Sequence, residues 1–230
     1  MLIAAHIFAG ALLGLVIWHL ADDRRAVPFC MAGSILPDLV DKPLGLLVPS
    51  VLGGGRTLFH TLLIVAIILL GTLILTLSAS RWLGAGVACA VLLHQLLDEM
   101  WMLPVSWFWP LLGPFQGQMI PGYLWTYLLY EMTNPSEWLF LIGSAAILAG
   151  FYRSLTSTLH HGWSDRRKTV VATLSAVVFS GAGIYLLVAG LTGGTPTFIA
   201  PGYDPVPTVT AGILALCGAG VLIRETVWQV

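Results

Sequence analysis

Long apolar runs, separated by short polar or Pro/Gly-rich segments, dominate the pattern along the chain. Runs long enough for a transmembrane helix, about 20 residues, begin near six positions: Leu2, Thr57, Trp82, Glu137, Thr169 and Pro207. A shorter apolar run, Val27 to Val40, suits a short helix buried among others better than a lipid-facing span. The pattern therefore predicts an all-α, polytopic transmembrane helical bundle of six or seven spans with one short helix.

Polar residues mark where the first helices are expected to end. Four charges, Asp22 to Arg25, follow the first helix, and Asp41 and Lys42 indicate a return to water after the short helix. The next two helices are predicted over Thr57 to Ala79 and Trp82 to Leu103, the latter ending at a proline.

Three regions follow from this division: a helical membrane core over 1–115, an aromatic exoplasmic connection over 116–136, and three further transmembrane helices over 137–230. The density of Trp, Tyr and Phe between Trp101 and Trp138 is typical of the headgroup zone. The alternative is a lid or lipid-entry surface. In the last two helices, Gly181, Gly183, Gly212, Gly218 and Gly220 resemble the small-residue surfaces that let membrane helices pack closely.

Composition and charge exclude several classes of protein. Hydrophobic residues make up 57% of the chain and charged residues 9%, against roughly 25% charged residues in soluble domains, so a water-soluble globule is excluded. The net charge is -1 and no basic run is interleaved with aromatic residues, so we expect no nucleic-acid partner. Cys30, Cys89 and Cys217 are expected to be apolar packing residues without a disulfide or a metal. The first apolar segment lacks a basic leader and is predicted to remain as a helix.

Basic residues predict the orientation in the membrane, because short cytoplasmic loops are enriched in Lys and Arg. A multi-pass protein of the inner cell membrane fits if most of them are cytoplasmic: Arg24, Arg25, Arg81, Arg153, Arg166 to Lys168 and Arg224. Only Lys42 and Arg56 fall on the other side. Provided that the short helix crosses the membrane and the N-terminus lies outside, this topology puts the start of the first helix, the end of the short helix, the start of the third and the end of the fourth on the exoplasmic side.

Five ionisable residues lie within or beside these helix ends: His6, Asp38, His60, His94 and Asp98. Ionisable groups in membrane segments are costly and usually functional. His94 and Asp98 are four residues apart and so share one helix face. Imidazole and carboxylate are donors that zinc, manganese or iron accept, although the pair alone also fits a buried hydrogen bond. His19, His160 and His161 fall on the opposite side and are interpreted as interfacial.

Four short motifs follow one another within about residues 1 to 115: Gly33 to Asp38 (GSILPD), Arg56 with His60-Thr61-Leu62, His94 to Asp98, and Trp109-Pro110. This order resembles the YdjM-type family of membrane-bound, metal-dependent hydrolases, itself similar to zinc-dependent phospholipase C and the S1/P1-type nucleases. The resemblance implies metal roles for His6, Asp38, His60, His94 and Asp98. Gly55 and Val40 stand where the family often has His and Asp, so one or two ions, most simply zinc, are expected.

Hydrolysis is the reaction class expected of such a centre, because a bound metal activates water and polarises the bond under attack. Asp41 or Glu99 could accept the proton, and Arg56 or Lys42 could stabilise the developing negative charge. A phosphoester or ester in a lipid-like substrate is the expected target, with membrane lipid as partner.

Two other functions use the same residues. A metal or proton carrier would need ionisable groups through the depth of the bundle, whereas the five residues gather at one side, which favours a site. A purely structural scaffold would leave five buried ionisable groups without a task. Neither the substrate nor the oligomeric state follows from the sequence.

Overall fold

The structure, a computed structural model, describes residues 3–48, 55–75, 81–115, 132–156, 165–194 and 205–227, together with Trp125 and Leu129. Within these residues the regular structure is entirely helical, with eight α-helices and two 3-10 turns. The prediction of an all-α fold is confirmed. The chain divides into two compact units, Met1–Glu131 and Met132–Val230.

The first unit contains five helices: α1 (Ile3–Ala21), α2 (Ala26–Leu47), α3 (Leu62–Leu75), α4 (Arg81–Leu97) and the single turn α5 (Pro104–Trp107). The 3-10 turns Leu58–His60 and Met100–Met102 precede α3 and α5. Helix α2 packs against both α1 and α4, and α4 also packs against α3.

Small residues let α1 and α2 approach closely. A Cβ added at Gly14 would lie 2.5 Å from the Val27 Cα, and one at Gly10 would overlap Ser34. The turn between the two helices is polar: Arg25 donates to Asp23 at 2.9 Å, and this bond holds the pKa of Asp23 below its usual value. The site described below lies at the other end of this hairpin, near the start of α1.

Helix α2 is not the short helix expected from the sequence, since it runs for 22 residues and includes both Asp41 and Lys42. These charges do not mark a return to water. Asp41 is fully buried. Its burial is tolerated because its carboxylate accepts hydrogen bonds from backbone amides around the first 3-10 turn. Pro37 and Pro43 lie inside the helix although proline cannot donate a backbone hydrogen bond.

The next two helices are shorter than predicted. Helix α3 begins at Leu62 instead of Thr57, because Thr61 Oγ1 accepts a hydrogen bond from the Ile64 amide at 3.3 Å, the arrangement of a helix N-cap. Helix α4 ends at Leu97, six residues before the predicted end at Leu103. Just beyond it Glu99 adopts a left-handed conformation with φ 56°, which turns the chain away from the helix axis.

The second unit contains α6 (Pro135–Thr156), α7 (Asp165–Thr192) and α8 (Pro205–Val227). Helices α7 and α8 pack along each other. A Cβ added at Gly212 would lie 2.7 Å from the Leu187 amide nitrogen, whereas Cβ atoms added at Gly181 or Gly220 would meet no described residue within 4 Å. The small-residue interface predicted from the glycines therefore includes Gly212 and its neighbour Gly183, but not Gly181 or Gly220.

Three helices in the described part of the chain are long and apolar enough to cross a membrane: Ile3–Ala21, Val170–Thr192 and Val206–Arg224. Three more of the predicted spans form apolar helices of 10–17 residues: Leu62–Ile74, Trp82–Leu97 and Pro135–Leu148. The aromatic connection predicted over 116–136 lies mostly outside the described residues, as does the predicted continuation of α3 to Ala79.

Candidate metal centre

Four buried side chains meet at one end of the first unit: Asp38, His60, His94 and Asp98. Each offers one ligand atom, and these atoms all lie within 4.8 Å of one another. They come from different parts of the fold, namely α2, the first 3-10 turn, α4 and the residue just after α4. A group of two imidazoles and two carboxylates could hold a metal ion.

The two imidazoles face each other through their Nε2 atoms, 3.1 Å apart. His60 Nδ1 donates to Asp41 Oδ2 at 2.8 Å, and His94 Nδ1 donates to the Ser34 carbonyl at 2.6 Å. Because each Nδ1 faces an oxygen acceptor, the neutral form of each ring carries its proton there and directs the Nε2 lone pair toward the other ring. This arrangement suits two ligands of one cation.

The carboxylates complete the group on its remaining sides. Asp38 Oδ1 lies 3.7 Å from His60 Nε2 and 3.8 Å from His94 Nε2. Asp98 Oδ2 lies 3.7 Å from the first nitrogen and 4.0 Å from the second. Ligands about 2.0–2.1 Å from a tetrahedral zinc ion are roughly 3.3 Å from each other. The observed separations lie on both sides of that value, so the donor set fits such an ion after small side-chain movements.

Second partners hold both carboxylates in place. Asp38 Oδ2 pairs with Lys42 Nζ at 2.8 Å. Asp98 Oδ1 faces His6 Nε2 at 2.9 Å, while Asp98 Oδ2 accepts from Arg56 Nε at 3.1 Å. Outer partners of this kind orient ligands and tune their charge. Together with the partners of the two imidazoles, they give every residue of the four-residue group an outer contact.

His6 lies beside the group of four instead of within it. Its ring is fully buried and stacks on His94, with ring centroids 3.9 Å apart and planes inclined by 27°. The contact from its Nε2 to Asp98 Oδ1 places it one step behind that carboxylate. All five residues singled out in the sequence are thus brought together, four as a common ligand group and His6 as the neighbour of two of them.

Asp41 holds the turn that carries His60. Its carboxylate accepts from the Thr57 amide at 2.8 Å, from the Phe59 amide at 3.0 Å and from the His60 amide at 3.2 Å, in addition to His60 Nδ1. A carboxylate that accepts so many donors is committed to positioning. The sequence suggested Asp41 as a proton acceptor; in the structure its carboxylate accepts hydrogen bonds from the turn that carries His60 and from the His60 ring.

The other predicted catalytic residues are less buried than the ligand group. The Arg56 and Lys42 side chains are 40% and 23% exposed, and each pairs with one of the two carboxylates. Glu99 directly follows Asp98, and its Oε1 is buried without a hydrogen-bond partner among the described residues. The two cations are therefore partly exposed while each contacts one carboxylate of the buried group.

Gln95 was not singled out from the sequence. It is fully buried and its Nε2 donates to two backbone oxygens, Phe59 O at 3.1 Å and Thr61 O at 2.9 Å. Its Oε1 accepts from Trp107 Nε1 at 2.9 Å. A polar residue next to His94 in an otherwise apolar helix was the available signal.

Among the described residues, the other histidine outside the site and the cysteines take no part in the group. His19 lies exposed near the far end of α1, and His160 and His161 lie outside the described residues. The three cysteines are free; Cys30 is buried and Cys89 and Cys217 are exposed.

The family model described as "YdjM inner membrane protein" matches residues 1–191, which covers the whole first unit and extends through α6 and most of α7. No curated protein and no solved structure matches the chain.

Proposed function

The chain belongs to the YdjM inner membrane protein family, and we propose that it is a membrane-embedded, metal-dependent hydrolase that cleaves a phosphoester or ester bond in a lipid-like substrate. The observation that carries this proposal is the pair of Nε2 atoms 3.1 Å apart, with the carboxylates of Asp38 and Asp98 beside them. Two buried imidazoles whose Nδ1 atoms are already hydrogen-bonded, and whose Nε2 atoms face each other, are suited to bind one cation together.

The residues that would hold the metal are Asp38, His60, His94 and Asp98. Two nitrogen and two oxygen donors suit zinc, and manganese or iron also accept such a set. A bound divalent ion would supply Lewis-acid polarisation of the scissile bond and an activated water. We expect one or two ions, with His6 available beside Asp98.

Arg56 and Lys42 give the site its preference for an anionic group. Both lie on the more exposed side and both contact a ligand carboxylate. Arg56 donates through Nε to Asp98 Oδ2, and the planar guanidinium fork is a group that suits phosphate and carboxylate oxygens. We therefore favour a phosphoester over a neutral ester, with Arg56 stabilising the charge that develops on the substrate oxygens.

Glu99 is the residue we assign to proton transfer. Its carboxylate is next to Asp98 in the chain, and Oε1 has no hydrogen-bond partner among the described residues. Asp41, the other acidic residue considered for this role, is occupied by the 57–60 backbone and by His60. Glu99 is thus better suited to accept a proton.

The site is proposed to lie on the exoplasmic side of the inner membrane. This follows from the distribution of Lys and Arg along the sequence. A site at the exoplasmic ends of the helices would be reached from the lipid headgroup layer, which is consistent with a lipid-like substrate.

The test is to purify the whole protein, measure its bound metals, and incubate it with vesicles containing phospholipids, phosphatidic acid or a lipid diphosphate while assaying released phosphate and headgroups. We expect at least one equivalent of transition metal and turnover of a phosphorylated lipid. Metal-free protein that is folded and equally active would contradict the proposal. Metal binding with uptake into vesicles, and no hydrolysis of any lipid, would instead favour a carrier.

A further inference from the structure

Gln95 occupies a position in the first unit that the proposed reaction does not explain. The side chain is fully buried in an otherwise apolar stretch of α4, where an amide is costly unless it is hydrogen-bonded. All three of its observed bonds go to other parts of the fold, and none is made within α4. Gln95 therefore connects α4 to the turn that carries His60 and to Trp107.

The two donor bonds of Gln95 grip the chain on both sides of His60. Phe59 O and Thr61 O, the carbonyls of the residues immediately before and after the histidine, both accept from Nε2. Asp41 holds the amides of the same turn from the opposite direction, through Phe59 N and His60 N. The 58–61 segment is thus fixed by a donor to its carbonyls and an acceptor for its amides.

The remaining atom of Gln95 connects this turn to the aromatic segment. Oε1 accepts from the indole of Trp107 at 2.9 Å, and Trp107 closes α5 and stacks edge-on against Phe108 with ring centroids 5.4 Å apart. Several residues around this segment are exposed and apolar, among them Trp101, Met102 and Leu111. The Gln95 amide therefore links the turn that carries His60 to a segment with exposed apolar side chains.

We propose that Gln95 is a positioning residue for the metal centre, which fixes His60 for ligation through Phe59 O and Thr61 O and is itself oriented by Trp107. The proposal rests on the proposed function only insofar as both require a bound metal. Outer residues that orient ligands typically contribute about 10- to 100-fold to metal affinity. Gln95 acts on the backbone that carries the ligand, whereas Asp41 acts on the imidazole as well.

Three variants of the full-length protein test this assignment. Gln95→Met keeps the length of the side chain but removes every hydrogen bond; Gln95→Glu keeps the acceptor for Trp107 but turns a carboxylate oxygen toward two carbonyls; Trp107→Phe leaves the two donor bonds intact. Ser144→Ala is the control, since it removes one buried side-chain bond, to Phe140 O at 2.8 Å, in the second unit. Zinc affinity is measured by competition with a chromogenic chelator, and melting temperature with and without zinc.

Gln95→Met and Gln95→Glu should weaken zinc binding by about 10- to 100-fold, Trp107→Phe by less, and Ser144→Ala not at all. Because a ligand stabilises the state that binds it, the rise in melting temperature on adding zinc should shrink in both Gln95 variants. A merely structural role would lower both melting temperatures in parallel and leave that rise unchanged. Zinc affinity of Gln95→Met within twofold of the parent would overturn the assignment, as would a parent protein that binds no metal.

Failure of the two proposals can be told apart. A parent protein that binds zinc and hydrolyses no lipid, but loses zinc on Gln95→Met, would reject the hydrolase and retain the positioning role. If the parent protein hydrolyses lipid and Gln95→Met binds zinc normally, the hydrolase proposal would be retained and the positioning role of Gln95 rejected.

Discussion

The orientation of His60 and His94 depends on oxygens outside the group of four ligand atoms. Asp41 Oδ2 and the Ser34 carbonyl each accept from an Nδ1 atom, so each imidazole is held with its Nε2 directed at the other. Without these acceptors a histidine ring could rotate or exchange tautomers, and its lone pair would no longer be fixed. The chemistry of the centre therefore depends as much on residues that would never contact a metal as on those that would.

Replacing either His94 or Asp98 distinguishes a metal-binding role of these residues from a purely hydrogen-bonding role. Asp98→Asn keeps the volume and polarity of the side chain but loses the charge that a divalent ion requires, and His94→Gln loses the imidazole donor. We expect both variants to insert and fold while losing bound metal and hydrolysis. The measurement is metal content and turnover at matched expression.

His19→Gln is the control for this pair, because His19 lies exposed near the opposite end of α1 and should change neither quantity. If the two side chains served only to form buried hydrogen bonds with their own neighbours, Ser34 O for His94 and His6 for Asp98, the variants would be destabilised by about 0.6 kcal/mol per bond, the average for such bonds in membrane bundles. Retention of metal and turnover by both variants would then favour the scaffold interpretation.

Asp41→Asn should weaken both the turn and the centre. The amide offers one acceptor oxygen where the carboxylate uses two, and its NH2 group would face backbone amides that also donate. A buried donor left without an acceptor costs about 1–3 kcal/mol, and the loss of a carboxylate partner for His60 should lower metal affinity by about 10-fold or more. Chelator competition and thermal unfolding measure the two effects.

Asp23→Asn supplies the matched comparison. Asp23 also accepts from a backbone amide and a side chain, both of Arg25, but lies in the exposed turn between α1 and α2. We expect its replacement to leave metal affinity unchanged. Equal effects of the two substitutions would mean that Asp41 does not position His60.

At the scale of helices, apolar runs identified where most of the chain would be helical, and local polar contacts decided where each helix begins and ends. The run from Thr57 predicted a continuous helix, yet Thr61 caps α3 and Asp41 holds residues 57 to 60 in a 3-10 turn. The partner of that turn lies 16 or more residues earlier in the chain. No periodicity within the run could have revealed it.

The same limit applies to α2. Sequence alone made Asp41 and Lys42 the end of a short helix, because charges ordinarily require water. Both are instead satisfied by partners from the fold, Asp41 by the 3-10 turn and Lys42 by Asp38. The residues of the candidate metal group could be singled out from their types, spacing and motif order, whereas the contacts of Asp41 with the 3-10 turn and the place of Gln95 follow only from long-range contacts.

Close packing of α7 against α8 can be tested with two substitutions in one helix. In Gly212→Leu the new Cβ would lie 2.7 Å from Leu187 N and 2.9 Å from Gly183 O, so the backbones must separate. Overpacking of this kind costs about 1–3 kcal/mol. Thermal unfolding in detergent should show a lower melting temperature for this variant.

In Gly220→Leu, a change in the same helix, the new Cβ would meet nothing within 4 Å among the described residues. Because leucine has a higher helix propensity than glycine, this variant should match or exceed the parent in melting temperature. A similar loss of stability in both variants would show that the effect comes from leucine itself and not from the helix interface.

For the whole molecule, the positions of the candidate ligands agree with the grouping of helix ends expected from the loop charges. Residues from the start of α1, the last turns of α2, the turn before α3 and the end of α4 meet in one group, so these four chain positions share one side of the first unit. The positive-inside rule had placed the same positions together on the exoplasmic side. Which side of the membrane this is can be measured independently of the side-chain contacts.

Reporter fusions measure it directly. A reporter active only in the cytoplasm should be active when joined after Arg167, in the basic start of α7, because a short segment with two arginines and a lysine is retained on the cytoplasmic side. A reporter that requires export should be active within Gly117 to Pro121, which lies outside the described residues but follows the end of the helical core by a few positions. Reversal of both signals would place the metal centre at the cytoplasmic face, so that a cytosolic rather than an exoplasmic substrate would have to be sought. Cytoplasmic signals at both positions would mean that the chain between them crosses the membrane an even number of times, contrary to the span that α6 is expected to provide.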